Sequence, residues 1–87
     1  MSKKQKEASE VEVDYAYGVL DGVVEGMNKV ADNPNNQLAF TMSFFKNLPQ
    51  IMDAIEVIVK PEHRPKLAGV VRSSAKMMEA VIKCQAK

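Results

Sequence analysis

The residues of this sequence that are best suited to bind a ligand share one face of its first predicted helix. Gly18, Gly22 and Gly26 recur at every fourth position, and because an α-helix turns about 100° per residue, they form a strip along that face. Tyr15 and Lys29 lie at the two ends of this glycine strip. A tyrosine can stack on a planar base, a lysine can pair with a phosphate, and glycines let another backbone or a flat ligand come close.

The distance between the two ends limits what one copy of the helix can hold. Tyr15 and Lys29 are about 21 Å apart along the axis at about 1.5 Å per residue, so one small ligand cannot touch both on the same helix. Two helices that cross at the glycines would bring Tyr15 of one copy toward Lys29 of the other. One hypothesis is therefore a pocket between subunits for a nucleotide-like anion, such as a cyclic nucleotide. Its further contacts would be Arg64, Arg72 and Lys76.

Side chains that perform catalysis or hold metals are scarce. The chain has one Cys and one His. Cys84 is expected to be a small packing residue, and His63 an exposed residue of a proline-rich turn with no nucleophile beside it. Asp14, Asp21 and Glu25 share a flank of the first helix without a second ligand-bearing segment, so a solvated acidic face is expected. No catalytic residue, metal site or cofactor is predicted, and the chain is predicted not to be an enzyme.

Composition and charge bound the remaining classes of function. The chain has 87 residues, a formal net charge of +1, 46% hydrophobic and 6% aromatic residues. These values fit one small domain and disfavour a general nucleic-acid binder. The charge is uneven, because residues 7–32 carry seven acidic groups and one Lys, whereas residues 33–87 carry eight basic and four acidic groups. The basic part leaves a nucleic-acid accessory protein as a further alternative.

The spacing of apolar residues predicts three helices and no strands. Short turns between helices of similar length favour a small antiparallel three-helix bundle, an all-α fold whose second helix is kinked or split at Pro49. Asn33 is predicted to cap the second helix, with Pro34 in its first turn. A disordered basic tail over 1–7 and a single helical domain over 8–87 are expected. The predicted helices run over Ala8–Val30, over Pro34–Val59, and from between Pro61 and Lys66 to Ala86.

The sequence has more apolar positions than one bundle core needs. With Phe45 toward the core, Phe40 and Phe44 point more than about 90° away and form an aromatic pair on a second face. Surplus apolar faces of this kind indicate a protein interface. The core is predicted to contain Val13, Ala16, Leu20, Val23, Met27 and Val30 of the first helix, Leu38, Met42, Phe45, Leu48, Met52, Ile55 and Val59 of the second, and Leu67, Val70, Val71, Ser74, Met77, Met78, Val81 and Gln85 of the third. Self-association is predicted through Val11, Tyr15, Gly18, Gly22, Gly26, Phe40 and Phe44.

The function that these observations favour is binding without catalysis. We expect a small cytoplasmic helical module that self-associates and inhibits or binds a host or cellular protein by protein–protein contact. Charges interrupt every apolar stretch, so no membrane span is expected. Phage-encoded inhibitors of host systems are comparable in size and composition, an analogy that rests on no motif. The alternatives are a protein that sequesters the anionic ligand described above, as a phage anti-defence protein would, and the nucleic-acid accessory protein.

Overall fold

The computed structural model describes residues 10–85, and every regular element among them is helical. The predicted all-α class is therefore confirmed for this part of the chain. The predicted tail over 1–7 and the predicted helix ends at Ala8 and Ala86 lie outside the described residues. No helix within 10–85 is both long and apolar enough to cross a membrane. The elements are α1 (Glu10–Asp32), a 3-10 turn (Pro34–Asn36), α2 (Gln37–Lys46), α3 (Leu48–Val57), a second 3-10 turn (Pro61–His63) and α4 (Arg64–Gln85).

The turn between α1 and α2 is shaped by Asn33 and Pro34. The side chain of Asn33 accepts a hydrogen bond from the backbone N–H of Asn35 over 3.2 Å, which satisfies one of the N–H groups left free at a helix start. Pro34 takes the first position of the turn, where no backbone N–H is needed. Asn33 therefore caps the 3-10 turn that leads into α2, whereas α2 itself begins after Asn36, whose side chain makes no capping hydrogen bond.

The predicted second helix is split at Asn47 into α2 and α3. The backbone N–H of Asn47 donates to the carbonyl oxygens of Ser43 and Phe44 over 3.0 and 3.2 Å, and its side-chain amide donates to the Ser43 carbonyl over 2.9 Å. Pro49 is the second residue of α3, where its missing N–H leaves no helical hydrogen bond unmade. The chain therefore accommodates Pro49 by a helix break two residues ahead of it, and not by a kink in one continuous helix. Together, α2 and α3 form what we call the α2–α3 limb.

The core lies where α1 packs against α3. Leu67 and Val70 of α4 are half-buried against it, and α4 itself has no fully buried residue. The core stripe predicted for α1 is confirmed, since its members are buried or half-buried. The buried residues of the central cluster, each at most 5% exposed, are Ala16, Leu20, Ile51, Ala54 and Ile58.

α1 is the central element of the arrangement. α3 and α4 each pack along α1, but their own backbones make almost no close approach to each other. The start of α4 lies beside the middle of α1, where Tyr17 contacts His63 and Asp21 pairs with Lys66. α4 also contacts the turn at 34–36, so α4 runs parallel to α1, and the α2–α3 limb runs antiparallel to both.

The orientation predicted for the second helix is wrong. Phe44, which was expected to point away from the core, packs against the central cluster, whereas Phe45 is 63% exposed. The cause is that the Phe40 ring sits directly on Gly26 of α1, so the aromatic face of α2 turns inward. The helical rotation of about 100° per residue then carries the predicted core stripe outward. Its exposed members are Leu38, Met42, Phe45, Met52, Ile55 and Val59.

Candidate functional site: a glycine-floored groove and an apolar outer face

A groove runs between α1 and the α2–α3 limb. Its floor is the glycine strip of α1, and Phe40, Phe44 and Ile51 form the opposite wall. Lys29 and the amide of Asn47 add polar groups to its lining. The groove is open to solvent and has a volume of about 560 Å³, which lies within the range of ordinary binding sites.

The three glycines differ in what lies above them. A Cβ atom at Gly26 would be 2.8 Å from Cδ1 and 3.0 Å from Cε1 of Phe40, closer than ordinary van der Waals contact, so the Phe40 ring requires glycine there. A Cβ atom at Gly18 or Gly22 would meet no other heavy atom within 4 Å. Each glycine inside a helix costs about 1 kcal/mol relative to alanine. At Gly18 and Gly22, no contact within the described residues offsets that cost.

Tyr15 and Lys29 lie in different recesses. Tyr15 is 58% exposed and lines a smaller recess of about 330 Å³ together with Val11, Asp53 and Val57. Lys29 lines the glycine-floored groove. Within one chain, the structure therefore does not bring together the two ends of the predicted ligand site.

The basic residues predicted to complete that ligand site are on α4. Arg64, Arg72 and Lys76 are exposed and line neither recess. Only Lys29 among the predicted ligand contacts lies in the groove. A pocket made from all five residues would have to form between copies of the chain.

His63 is not the exposed turn residue that was expected. Its side chain is 12% exposed, and its Nδ1 atom shares a 2.8 Å hydrogen bond with the Tyr17 hydroxyl, the direction of which depends on the histidine tautomer. The two rings meet edge to face at a centroid distance of 5.5 Å. The Lys66 ammonium lies 4.9 Å from the centroid of the Tyr17 ring and pairs with Asp21. The contacts of His63 and Lys66 with Tyr17 and Asp21 attach the start of α4 to α1.

Cys84 is exposed and not packed, so its predicted role as a packing residue is wrong. Asp14 and Glu25 are exposed as expected, while Asp21, on the same flank, pairs with Lys66. No group of three or more His, Cys, Asp or Glu side chains within 10–85 is arranged to hold a metal ion.

Sequence reasoning missed one apolar surface, because it assigned all of its residues except Ile82 to the core. This outer face is defined by the exposed stripe of the α2–α3 limb and by Val71, Met78 and Ile82 of α4. The signal that could have found it is the match between a glycine-lined helix and the aromatic pair Phe40 and Phe44, because large rings pack where small residues leave room. The limb residues of the outer face are Leu38, Met42, Phe45, Met52, Ile55 and Val59.

Comparison with protein families, with curated proteins and with solved structures found no match to this chain.

Proposed function

We propose that this chain is a non-enzymatic binding module that acts by protein–protein contact and self-associates through α1. In this proposal, α1, the α2–α3 limb and α4 form a three-helix unit. Copies of the unit cover one another's apolar surface, and the remaining surface engages a partner protein.

The observation that carries the proposal is the distribution of large apolar side chains. Within residues 10–85, seven hydrophobic residues are buried, whereas eleven large hydrophobic residues are between 37% and 76% exposed. Monomeric proteins seldom expose contiguous apolar patches of more than a few hundred Å², and larger patches mark interaction sites. Burying such side chains contributes roughly 25 cal/mol per Å² of apolar area, so association has a substantial driving force.

The bare glycines support α1 as one of the contact surfaces. At Gly18 and Gly22, nothing in the described part of the chain lies where a side chain would be, so a second backbone can approach α1 closely there. Val11 and Tyr15, which are 76% and 58% exposed, extend this surface toward the start of α1. Phe40 and Phe44 already pack within their own chain, so they would contribute only their exposed edges.

The test is the mass of the protein in solution, measured by light scattering over about a hundredfold range of concentration. The wild-type chain is expected to form oligomers that dissociate on dilution. Gly22→Leu should lower the mass while circular dichroism shows unchanged helicity, because the new side chain fills the contact surface. Asn28→Leu is the matched control, since it places the same side chain at an exposed position of α1 outside the glycine strip.

Two outcomes would contradict the proposal. A wild-type chain that stays monomeric at every concentration rules out self-association. Equal masses for Gly22→Leu and the wild-type oligomer rule out α1 as the contact surface. A rise in melting temperature with millimolar cyclic nucleotides would instead favour the ligand-sequestering alternative.

A further inference from the structure

α4 carries two parallel apolar seams, and only one of them packs against another element within residues 10–85. Both follow the alternating three- and four-residue spacing of helices that pack along one another. The inner seam is half-buried and faces α1, whereas the outer seam is exposed, with Val71 at 67%, Met78 at 53% and Ile82 at 59%. The inner seam consists of Leu67, Val70, Ser74, Met77 and Val81. The outer seam consists of Ala68, Val71, Ala75, Met78 and Ile82.

The outer seam lies on a second side of α4. From the helical rotation, it is about 100° around α4 from the inner seam. The nine large apolar side chains of the outer face are between 37% and 68% exposed. Three of them, Val71, Met78 and Ile82, belong to the outer seam.

We propose that the outer seam of α4 pairs with the same seam of a second copy, antiparallel, about a two-fold axis that crosses the helix near Lys76. In that register, Ala75 lies opposite Met78 of the partner subunit, and Val71 lies opposite Ile82 of the partner subunit. Each alanine then faces a large side chain, which is how well-packed helix pairs fill space.

Charge complementarity selects the antiparallel orientation. Arg72 and Glu79 are exposed, carry opposite charges and occupy the same flank of the outer seam, seven residues apart. In the antiparallel pair, Arg72 faces Glu79 of the partner subunit, and the two-fold axis makes this contact twice. In a parallel pair, Arg72 and Glu79 would instead face the uncharged Leu67 and Ser74 of the partner subunit. Within one chain, the Glu79 carboxylate lies 3.7 Å from the Lys83 ammonium, and both side chains are exposed. Glu79 can therefore contact Lys83 of its own chain and Arg72 of the partner subunit at the same time.

This inference goes beyond the proposed function, because it concerns a surface that α1 does not share. Gly22→Leu leaves the outer seam unchanged, and substitutions in the outer seam leave the glycine strip unchanged. The variants therefore distinguish failure of one contact from failure of the other, and a wild-type chain that stays monomeric contradicts both.

The first test is the concentration dependence of mass for variants of the outer seam, measured with the full chain by sedimentation equilibrium. Met78→Glu should weaken this association by about 100-fold or more, because it would bury an unpaired charge twice per dimer. Lys76→Gln is the matched control, since it changes the net charge by the same single unit at an exposed position outside the seam. A dissociation constant for Met78→Glu within twofold of the control would overturn the proposal.

Charge reversal tests the register without altering the apolar residues. Arg72→Glu and Glu79→Arg should each weaken association by about tenfold, because each replaces two attractive contacts with two repulsive ones. The double variant Arg72→Glu, Glu79→Arg should return to within about threefold of the wild type. Both positions are exposed, so folding is preserved. A double variant no tighter than the single variants would refute the antiparallel register.

The orientation can be measured directly through the single cysteine. Cys84 is the one Cys of the chain and is exposed, so one spin label reports one distance per dimer. In the antiparallel pair the two labelled positions are about 25 Å apart along the helix axes, whereas a parallel pair would bring them to within about 10 Å. A short distance would refute the proposal. So would a chain that stays monomeric in solution and binds anionic lipid vesicles through α4, because the outer face would then have a membrane as its partner.

Discussion

Replacing the glycines of α1 one at a time by alanine tests the account of the groove quantitatively. Gly22→Ala adds a methyl group that meets nothing within 4 Å, so the folded monomer should gain the helix propensity of alanine, about 1 kcal/mol. Gly26→Ala gains the same propensity but places its methyl group 2.8 Å from the Phe40 ring. Overpacking of this kind costs about 1–3 kcal/mol, so Gly26→Ala should be neutral or destabilising.

The measurement is urea-induced unfolding followed by circular dichroism, at a concentration where the chain is monomeric. The difference in the free energy of unfolding between Gly22→Ala and Gly26→Ala should be about 1–3 kcal/mol, and 1 kcal/mol corresponds to a shift of about 4–8 °C in melting temperature for a domain of this size. In a double-mutant cycle with Phe40→Ala, the penalty at Gly26 should disappear, because the ring that causes it is gone.

Two results would refute this reasoning. Equal unfolding free energies for Gly22→Ala and Gly26→Ala would mean that Phe40 does not rest on α1. A coupling energy below about 0.3 kcal/mol between Gly26 and Phe40 would mean the same. If the proposed self-association through α1 is correct, Gly22→Ala will stabilise the monomer and weaken the oligomer, so the two measurements should move in opposite directions.

Two further predictions concern the fastening of α4 and the orientation of the α2–α3 limb. Tyr17→Phe should lower the free energy of unfolding by about 1 kcal/mol, because it removes the hydrogen bond to the largely buried His63. The control Tyr15→Phe should have no measurable effect. Equal effects of the two variants in urea unfolding would show that the hydrogen bond contributes nothing. Ile51→Ala should cost about 2–4 kcal/mol because Ile51 is 5% exposed, and Met42→Ala should cost the monomer less than about 0.5 kcal/mol because Met42 is 65% exposed. A larger loss of unfolding free energy for Met42→Ala than for Ile51→Ala would instead support the core stripe predicted from the sequence.

The helical segments and the turn between α1 and α2 could be predicted because they depend on neighbours in the sequence. Asn33 and Pro34 act within three residues, and the inward face of α1 is apolar on one side only, so its period of 3.6 residues identifies it. The orientation of α2 could not be predicted in the same way, because α2 is apolar on two sides. The contact that decides it joins Gly26 to Phe40, fourteen positions apart along the chain.

The candidate sites were predicted in part, for the same reason. The glycine strip was visible as a spacing, and its placement along a groove follows from the helix it occupies. The enclosure of His63 was not visible, since it depends on Tyr17, which is 46 positions away. The separation of Tyr15 from Lys29 into two recesses depends on where α3 crosses α1, which no local pattern specifies.

The attachment of α4 to one side of α1 has a consequence for local unfolding. Because α4 has no fully buried residue, it can detach while α1 and α3 keep their common core, and its backbone amides should exchange with solvent through that partial opening. Any partner that binds only the docked helix would slow this exchange in proportion to its concentration. The position of α4 at the edge of the fold thus couples the order of the last helix to assembly.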